Sequence, residues 1–441
     1  MHVRTLRNRL GDAQRGDLLK WLLLAVTGLA VTAIAVHAGA RLGTASAPFV
    51  GRYRVALTPG SLLAPAVAVA VLVAVARGAT QRIEWRPLLA SAYAAALAWA
   101  FSLAAVDGTR GLTDPITRTE EYLRDVAGIG SDLDGFLAGF VSNASQHAVA
   151  TRQHPPGPVV FLWGLHRLGL DQPLLLGALI TALGCLTVPL VLVAVRSLCG
   201  EEAARRLAPA LVLAPYALWV AVSLDAVTAA LSAAMVTAGV LASEAGRRGL
   251  PAVLWALACG ALLGVAALFS YAAPWLALSV ICVYFVRRRP LLNVVTGTAA
   301  LVPLALAQGA GFVWTDGLTA AQADFSIRVE PHRSAVTWGV VSLVVLVLAC
   351  GPTLVASARK VRRTPGWPFL VGAVVAVAFA VTAGLARGEM EHAWLPYFPW
   401  LLVAAVAPEK RGGAPPPTPV ILVAVGAGAA VLLAAVLQTT A

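Results

Sequence analysis

Runs of about 20 apolar residues, separated by short polar breaks, recur along the whole sequence of 441 residues. A helix of that length crosses the roughly 30 Å hydrocarbon core of a bilayer. Hydrophobic residues make up 59% of the chain and charged residues only 12%, which is far more apolar than a soluble domain. The sequence therefore predicts an all-α, polytopic transmembrane bundle, because helices satisfy their own backbone hydrogen bonds in lipid.

The hydropathy pattern predicts about thirteen spans. They are residues 20–38, 60–76, 88–106, 173–196, 206–221, 224–243, 250–268, 272–286, 291–313, 336–357, 367–386, 393–407 and 418–437. The first run continues into further spans, so it is expected to remain as a helix rather than to be cleaved as a signal. The five cysteines fall in or beside these spans and suggest neither disulfides nor a metal cluster.

Basic residues gather in alternate breaks, as in Arg77, Arg82 and Arg86 and in the run Arg287 to Arg289. By the positive-inside rule, this pattern predicts a multi-pass plasma-membrane protein with a cytoplasmic N-terminus. Membrane orientation also explains the net charge of +12, so no nucleic-acid partner is expected. Residues 107–172 then lie outside.

The outer segment carries the polar residues that suggest chemistry. Ser131 or Asp132 can cap a surface helix whose apolar residues recur at helical spacing, namely Leu133, Phe136, Leu137, Phe140 and Val141. The stretch "QHPPGP" follows, and then "VVFLWGLHRLG" predicts a second surface helix of about 12 residues, too short to span. This hinge places His154 at the edge of whatever the loop covers.

Three features together resemble the GT-C glycosyltransferase superfamily. They are an acid just after an early span, an outer loop ending in "PP", and the later hairpin "LAPYALWVAVSLDAVTAALSAAMVTAG". The similar branch contains the protein O-mannosyltransferases and the lipid A aminoarabinose transferase, and "RGEMEHAWLPYFPWLL" resembles a "GExERxWLPFxPW" stretch of actinobacterial membrane proteins of this sort. The resemblance implies one membrane domain over 1–441, with extra spans in 1–87, a catalytic core in 88–290 and further spans in 291–441.

The resemblance also implies a polyprenyl-phosphate sugar as donor substrate and roles for three residues. Asp107 holds the place of the loop acid that acts as base, His154 that of a lysine near the lipid phosphate, and Asp225 that of an acid in the later hairpin. The sequence departs from the family at "VDGTR", where an acidic pair is usual. It departs again at His392, where arginine is expected.

The same chemistry follows from the residue types. A carboxylate at the membrane edge can take the proton of an attacking hydroxyl, and Arg110, Arg152 or a protonated His154 can stabilise the departing phosphate. Substrate contacts are expected from Asp225, Glu120, Glu121, Glu389 and His392. With one base and no second carboxylate nucleophile apparent, we expect a single displacement with inversion.

Several alternatives stay open. Asp107 can simply end a helix in water, Glu120 and Glu121 can form a solvated face, and Glu389 with His392 can form an ion pair between spans. A divalent metal is not expected, since no close-spaced ligand motif is present. The sugar can be mannose, arabinofuranose or another, and the acceptor a cell-wall glycan, a glycolipid or a protein. The alternative function is a transporter or a flippase for lipids or lipid-linked sugars, although polar residues at one membrane face favour surface chemistry.

Overall fold

The structure, a computed structural model, describes residues 2–44 and 46–439. The first half of the chain forms α1 (His2–His37), α2 (Leu63–Ala76), α3 (Ala79–Arg82), α4 (Trp85–Ala104), α5 (Arg110–Thr117), α6 (Leu123–Ile129), α7 (Leu133–Gly139), α8 (Val149–Gln153), α9 (Gly157–Arg167), α10 (Pro173–Cys185), α11 (Thr187–Cys199) and α12 (Glu201–Val212). The second half forms α13 (Leu224–Ala242), α14 (Leu250–Phe269), α15 (Ala277–Val286), α16 (Leu292–Gly309), α17 (Trp314–Arg328), α18 (Ala335–Cys350), α19 (Thr353–Lys360), α20 (Trp367–Thr382), α21 (Met390–Ala393), α22 (Phe398–Leu401) and α23 (Val420–Val436). Two short strands, β1 (Gly51–Tyr53) and β2 (Leu437–Thr439), complete the fold.

The predicted all-α membrane bundle is confirmed. Among the described residues, seven helices are long and apolar enough to cross a membrane: Gly11–His37, Pro59–Ala76, Trp85–Asp107, Pro173–Cys199, Leu224–Ala242, Leu250–Phe269 and Leu292–Gly309. An eighth span is possible in length if α18 and α19, which meet at a bend of 104°, are counted as one. The chain is therefore a multi-pass membrane protein, but the predicted count of about thirteen spans is not confirmed.

Two of the predicted spans are broken internal segments. Residues 206–221 fall on the end of α12 and the 3₁₀ turn Pro215–Trp219, and residues 393–407 fall on α21, α22 and the turn Val403–Ala405. Their side chains are buried in protein, with Trp219 and Trp400 almost fully enclosed. An apolar run has the same composition whether it faces lipid or a protein core, so hydropathy alone cannot separate the two.

Burial divides the bundle into a centre and a periphery. In α13, 78% of the central window is buried, whereas the figure is only 11% for the span that contains α2 and 17% for α16. The peripheral helices therefore present most of their apolar surface to lipid. The helix α16 packs on α14 through Gly260 and Gly264, where the backbones approach closely.

Two helices in residues 107–172 begin where the sequence predicts them, and α5, α6 and α8 are additional. Asp132 caps α7 by accepting a hydrogen bond from the backbone N–H of Gly135 at 2.9 Å. Pro158 lies in the first turn of the 11-residue α9, where its missing N–H has no intrahelical role. Both predicted helices are thus present, although α7 ends at Gly139, before Phe140 and Val141. We call the membrane face that carries residues 108–172 the loop face.

The strands β1 and β2 were not predicted. They pair antiparallel, with Gly51 opposite Thr439 and Tyr53 opposite Leu437. The ladder continues where the N–H of Arg54 donates to the carbonyl of Val436 at 2.9 Å. This pairing ties the segment after the first span to the end of the last helix at the loop face.

Candidate active site

A cavity of about 260 Å³ opens at the loop face and collects most of the residues singled out from the sequence. Six of those nine line it: Glu120, Glu121, His154, Asp225, Glu389 and His392. The cavity is also lined by residues that were not singled out, among them Arg118, Tyr122, Gln153, Val222 and Ser223. Segments that lie far apart in sequence therefore meet here, although the substrate-binding role of each remains a prediction.

The N-terminus of α13 supplies one wall. Ser223 caps the helix by accepting from the N–H of Asp225 at 3.2 Å, and Asp225 lies in the first turn, where the helix dipole favours a negative charge. The preceding residue, Val222, has a φ of +62°, which is rare for a β-branched side chain. Its N–H donates to Thr181 Oγ1 at 3.0 Å, so α10 holds this strained backbone in place.

His154 faces Asp225 across the cavity. Its Nδ1 lies 3.0 Å from the carbonyl oxygen of Ala150, which can only accept, so Nδ1 carries the proton. Nε2 therefore points to Asp225 Oδ1 at 3.7 Å, a distance suited to an ion pair but too long for a hydrogen bond. Both side chains keep about a fifth of their surface exposed, 23% for His154 and 21% for Asp225, so a substrate can reach them.

Glu121 lies beside this pair because α8 is anchored to the preceding residue, Glu120. The N–H of Ala150 donates to the carbonyl oxygen of Glu120 at 3.0 Å, which brings His154 and Glu121 to the same wall. Burial raises the pKa of Glu121 to about 8, with the charge of Asp225 adding to the effect and Arg118 opposing it. A carboxyl group that titrates near neutral pH is suited to general acid or base chemistry.

Glu389 and His392 line the same cavity from another part of the chain. Glu389 adopts a φ of +59° before the short α21, so Glu389 and His392 lie on a left-handed residue followed by a single helical turn. Glu391 is fully buried, its Oε1 accepts from the N–H of Val50 at 2.9 Å, and burial raises its pKa to about 8. Since Val50 also lines the cavity, Glu391 connects two parts of the wall.

The predicted base, Asp107, lies outside this cavity. It forms an ion pair with Arg54, just after β1, and lines a separate cavity of about 40 Å³ together with Arg110. Pro115 and Arg118 line both cavities, so a single wall separates them. Asp107 and Arg110 are thus neighbours of the candidate site rather than members of the six-residue group.

Arg152 is directed elsewhere. Its Nε lies 3.3 Å from Asp324 of α17, and its NH1 donates to the carbonyl of His147 at 2.8 Å. Both partners of this ion pair are largely buried. The structure therefore gives Arg152 a part in holding α8 against α17, and it does not place this guanidinium beside His154 in the cavity.

Some wall residues had no clear signal in the sequence. Tyr122 is buried and packs edge-on against the ring of His154, with centroids 5.9 Å apart, but a single tyrosine in a polar loop carries no distinctive pattern. The same is true of Val222, whose strain appears only in the backbone. Among the described residues, no group of three or more His, Cys, Asp or Glu side chains is placed to hold a metal ion.

No protein-family model matches this chain, and no curated protein matches it. The solved structures that are distantly similar include two of ArnT from Cupriavidus metallidurans. The apo-state structure is 18% identical and has a TM-score of 0.44, with 63% of this chain aligned to 54% of that one. The structure bound to undecaprenyl phosphate is 18% identical and has a TM-score of 0.43, with coverages of 64% and 58%. The chain thus spans little more than half the length of ArnT, and a similarity this low assigns neither a family nor an activity.

Proposed function

We propose that this protein is a membrane glycosyltransferase of the GT-C type, which moves a sugar from a polyprenyl-phosphate donor to an acceptor hydroxyl on the extracytoplasmic face. The observation that carries the proposal is the loop-face cavity, where a carboxyl group with a pKa of about 8 lies beside an aspartate–histidine pair at the end of a membrane span. A lipid-linked sugar presents its headgroup at this level of the membrane.

In the proposed reaction, the acceptor oxygen attacks the anomeric carbon while its proton passes to the carboxylate of Glu121. The bond between the anomeric carbon and the phosphate oxygen breaks, and the lipid phosphate leaves with the bonding electrons. A protonated His154, held by Asp225, and Arg118 on the wall between the two cavities would stabilise that charge. One displacement inverts the anomeric configuration.

The remaining carboxylates suit the sugar itself. Glu120, Asp225 and Glu389 present acceptor oxygens to a hydroxyl-rich ring, and a cavity of about 260 Å³ is of the size of one sugar unit. Mannose and arabinofuranose are the donors to examine first, with a glycan, glycolipid or protein as acceptor. Asp107 remains a second candidate for the base, although Arg54 already neutralises its carboxylate.

The test is sugar transfer by the purified protein in lipid vesicles, supplied with a panel of radiolabelled polyprenyl-phosphate sugars. Glu121→Gln and His154→Ala should each abolish most transfer, whereas Asp134→Asn, an exposed carboxylate of the same outer segment, should leave it unchanged. Retained transfer in Glu121→Gln with loss in Asp107→Asn would move the base to Asp107. A product that keeps the donor's configuration would refute the single displacement.

A transporter or flippase is the alternative, because a broken helix is typical of transporters. The break between α18 and α19 at Gly351 and Pro352 is such a feature. This break is at the C-terminal end of α18, whereas the N-terminal end of α18 reaches the loop face. The 16 residues of α18 separate the two ends by about 24 Å. In transporters, broken helices lie near the membrane midplane beside the bound substrate. The break between α18 and α19 lies far from the loop-face cavity, so it does not support a transporter. Movement of an intact lipid-linked sugar without transfer would favour this alternative.

A further inference from the structure

A second, larger cavity of about 1590 Å³ lies at the face opposite the loop face. Its walls come from the junction of α11 and α12, the loop between α13 and α14, the loop between α15 and α16, and the linker near residues 408–415. The helix α13 relates the two sites, because Asp225 lies in its first turn and Ser243 caps its other end. Its 19 residues separate them by about 28 Å.

The wall of this cavity has an excess of positive charge. Five arginines line it, namely Arg248, Arg287, Arg288, Arg289 and Arg411. Three acids also line it, but each is paired with an arginine that is not part of the wall. Glu244 pairs with Arg247 at 3.0 Å, Glu201 with Arg205 at 2.6 Å, and Glu202 with Arg206. The charge of the five lining arginines is therefore not neutralised by these acids.

Arg287 shows how closely the cations gather. It donates to the carbonyls of Val240 and Ser197, both at 2.7 Å, so its hydrogen-bond partners are neutral. Burial lowers the pKa of Arg287, and the charges of Arg411 and Arg289 lower it further, although Glu244 opposes them. An anion placed among these guanidiniums would relieve that repulsion and accept charge-assisted hydrogen bonds.

The rim of the cavity is apolar. Leu291, which lines the cavity beside the start of α16, is 79% exposed. Leu250, next to the lining residue Gly249 at the start of α14, is 69% exposed. The exposed surface continues along the same helices at Leu254 and Val294. A free anion gains nothing from such a rim, whereas acyl chains do. The positive-inside rule explains why arginines lie on this face. It does not explain why they line a cavity whose acids are already paired and whose rim is apolar.

From these features, we propose that the opposite-face cavity binds an anionic phospholipid, with its phosphate among the five arginines and its acyl chains along α14 and α16. The proposal is independent of the proposed transferase activity, because no residue of the loop-face cavity takes part. Phosphate is the shared chemistry of a lipid headgroup and a free ion, so the experiment must separate these sources.

The experiment is a titration of the purified full chain by native mass spectrometry with cardiolipin, phosphatidylglycerol or phosphatidylcholine. The test variant carries Arg248→Gln, Arg288→Gln and Arg411→Gln, three exposed side chains. The matched control carries three exposed arginines changed on the same face outside the cavity, Arg77→Gln, Arg82→Gln and Arg86→Gln. At about fivefold for each guanidinium, the test variant should bind anionic lipid about 100-fold more weakly than wild type, and the control should match wild type.

Equal loss in the two triple variants would overturn the proposal, since it would show attraction to overall charge rather than a site. Equal binding of phosphatidylcholine would do the same, as would full displacement of the lipid by millimolar inorganic phosphate. Arg411→Gln alone provides a further check if the triple variant does not fold. This residue lies in an irregular linker, so its removal disturbs no helix, and about fivefold weaker binding is expected.

Discussion

The surroundings of Glu121 raise the pKa of its carboxyl group towards neutrality. Burial is the main cause of the rise to about 8, and Asp225 is the largest charge that adds to it. As a base, Glu121 must be ionised, so kcat/KM for transfer should rise about tenfold per pH unit below 8 and level off above it. In Asp225→Asn, the rise should move to lower pH because one repelling charge is lost. A wild-type profile that is flat between pH 6 and 9 would exclude Glu121 as the base.

Glu391 should make the stability of the fold depend on pH. Its pKa is raised by burial from 4.5 to about 8, and its Oε2 has no hydrogen-bond partner among the residues that the structure describes. The folded state therefore favours the protonated form of Glu391 more than the unfolded state does. The resulting gain in the free energy of unfolding is complete below about pH 4.5 and is lost as pH rises to about 8. The loss is on the order of a few kcal/mol.

Thermal unfolding in one detergent across this range measures the effect. Glu391→Gln should make the midpoint less dependent on pH, with a remaining slope from Glu121, whose pKa is raised in the same direction. The exposed Asp134 changed to Asn serves as control and should keep the wild-type slope. An unchanged slope in Glu391→Gln would contradict the prediction.

At the scale of elements, the contact of α14 with α16 depends on two glycines one helical turn apart. A Cβ at Gly260 would lie 2.2 Å from the carbonyl oxygen of Thr296, and one at Gly264 would lie 2.4 Å from that of Ala300. Gly260→Ala and Gly264→Ala should each destabilise the protein by about 1–3 kcal/mol, because the helices must separate. Gly297→Ala is the control, since its Cβ would meet nothing within 4 Å, and it should be neutral or slightly stabilising. Unfolding midpoints decide between these outcomes.

The elements also show what the sequence can predict. The cap at Asp132 and the proline of α9 are local signals, and both helices begin where those signals place them. Residues 393–407 are apolar for a different reason from a span, because they fill the core, and nothing local distinguishes the two. Likewise, Asp107 reads as a free acid after a span, whereas its partner Arg54 arrives through the pairing of β1 with β2. Long-range contacts of this kind produce no periodic pattern in the sequence, so they could not be predicted from it.

At the scale of the whole molecule, the distribution of basic residues predicts which face is outside. Ser142 is exposed at the loop face and Ala414 is exposed in the linker at the opposite face. In variants without the partly buried Cys199 and Cys282, Ser142→Cys should react with a membrane-impermeant maleimide in intact cells, and Ala414→Cys only after permeabilisation. The reverse pattern of labelling would invert the orientation and place the candidate active site in the cytoplasm.

The pairing of β1 with β2 determines when the loop face can be completed during synthesis of the chain. Gly51–Tyr53 leaves the ribosome long before its partner Leu437–Thr439, because most of the described chain lies between them. Leu437 and Gln438 also line the small cavity around Asp107. Synthesis runs from the N-terminus, so the described spans between β1 and β2 must be made before this edge of the loop face can close. A nascent chain therefore holds an incomplete pocket, with β1 unpaired at the membrane surface, until β2 has been synthesised.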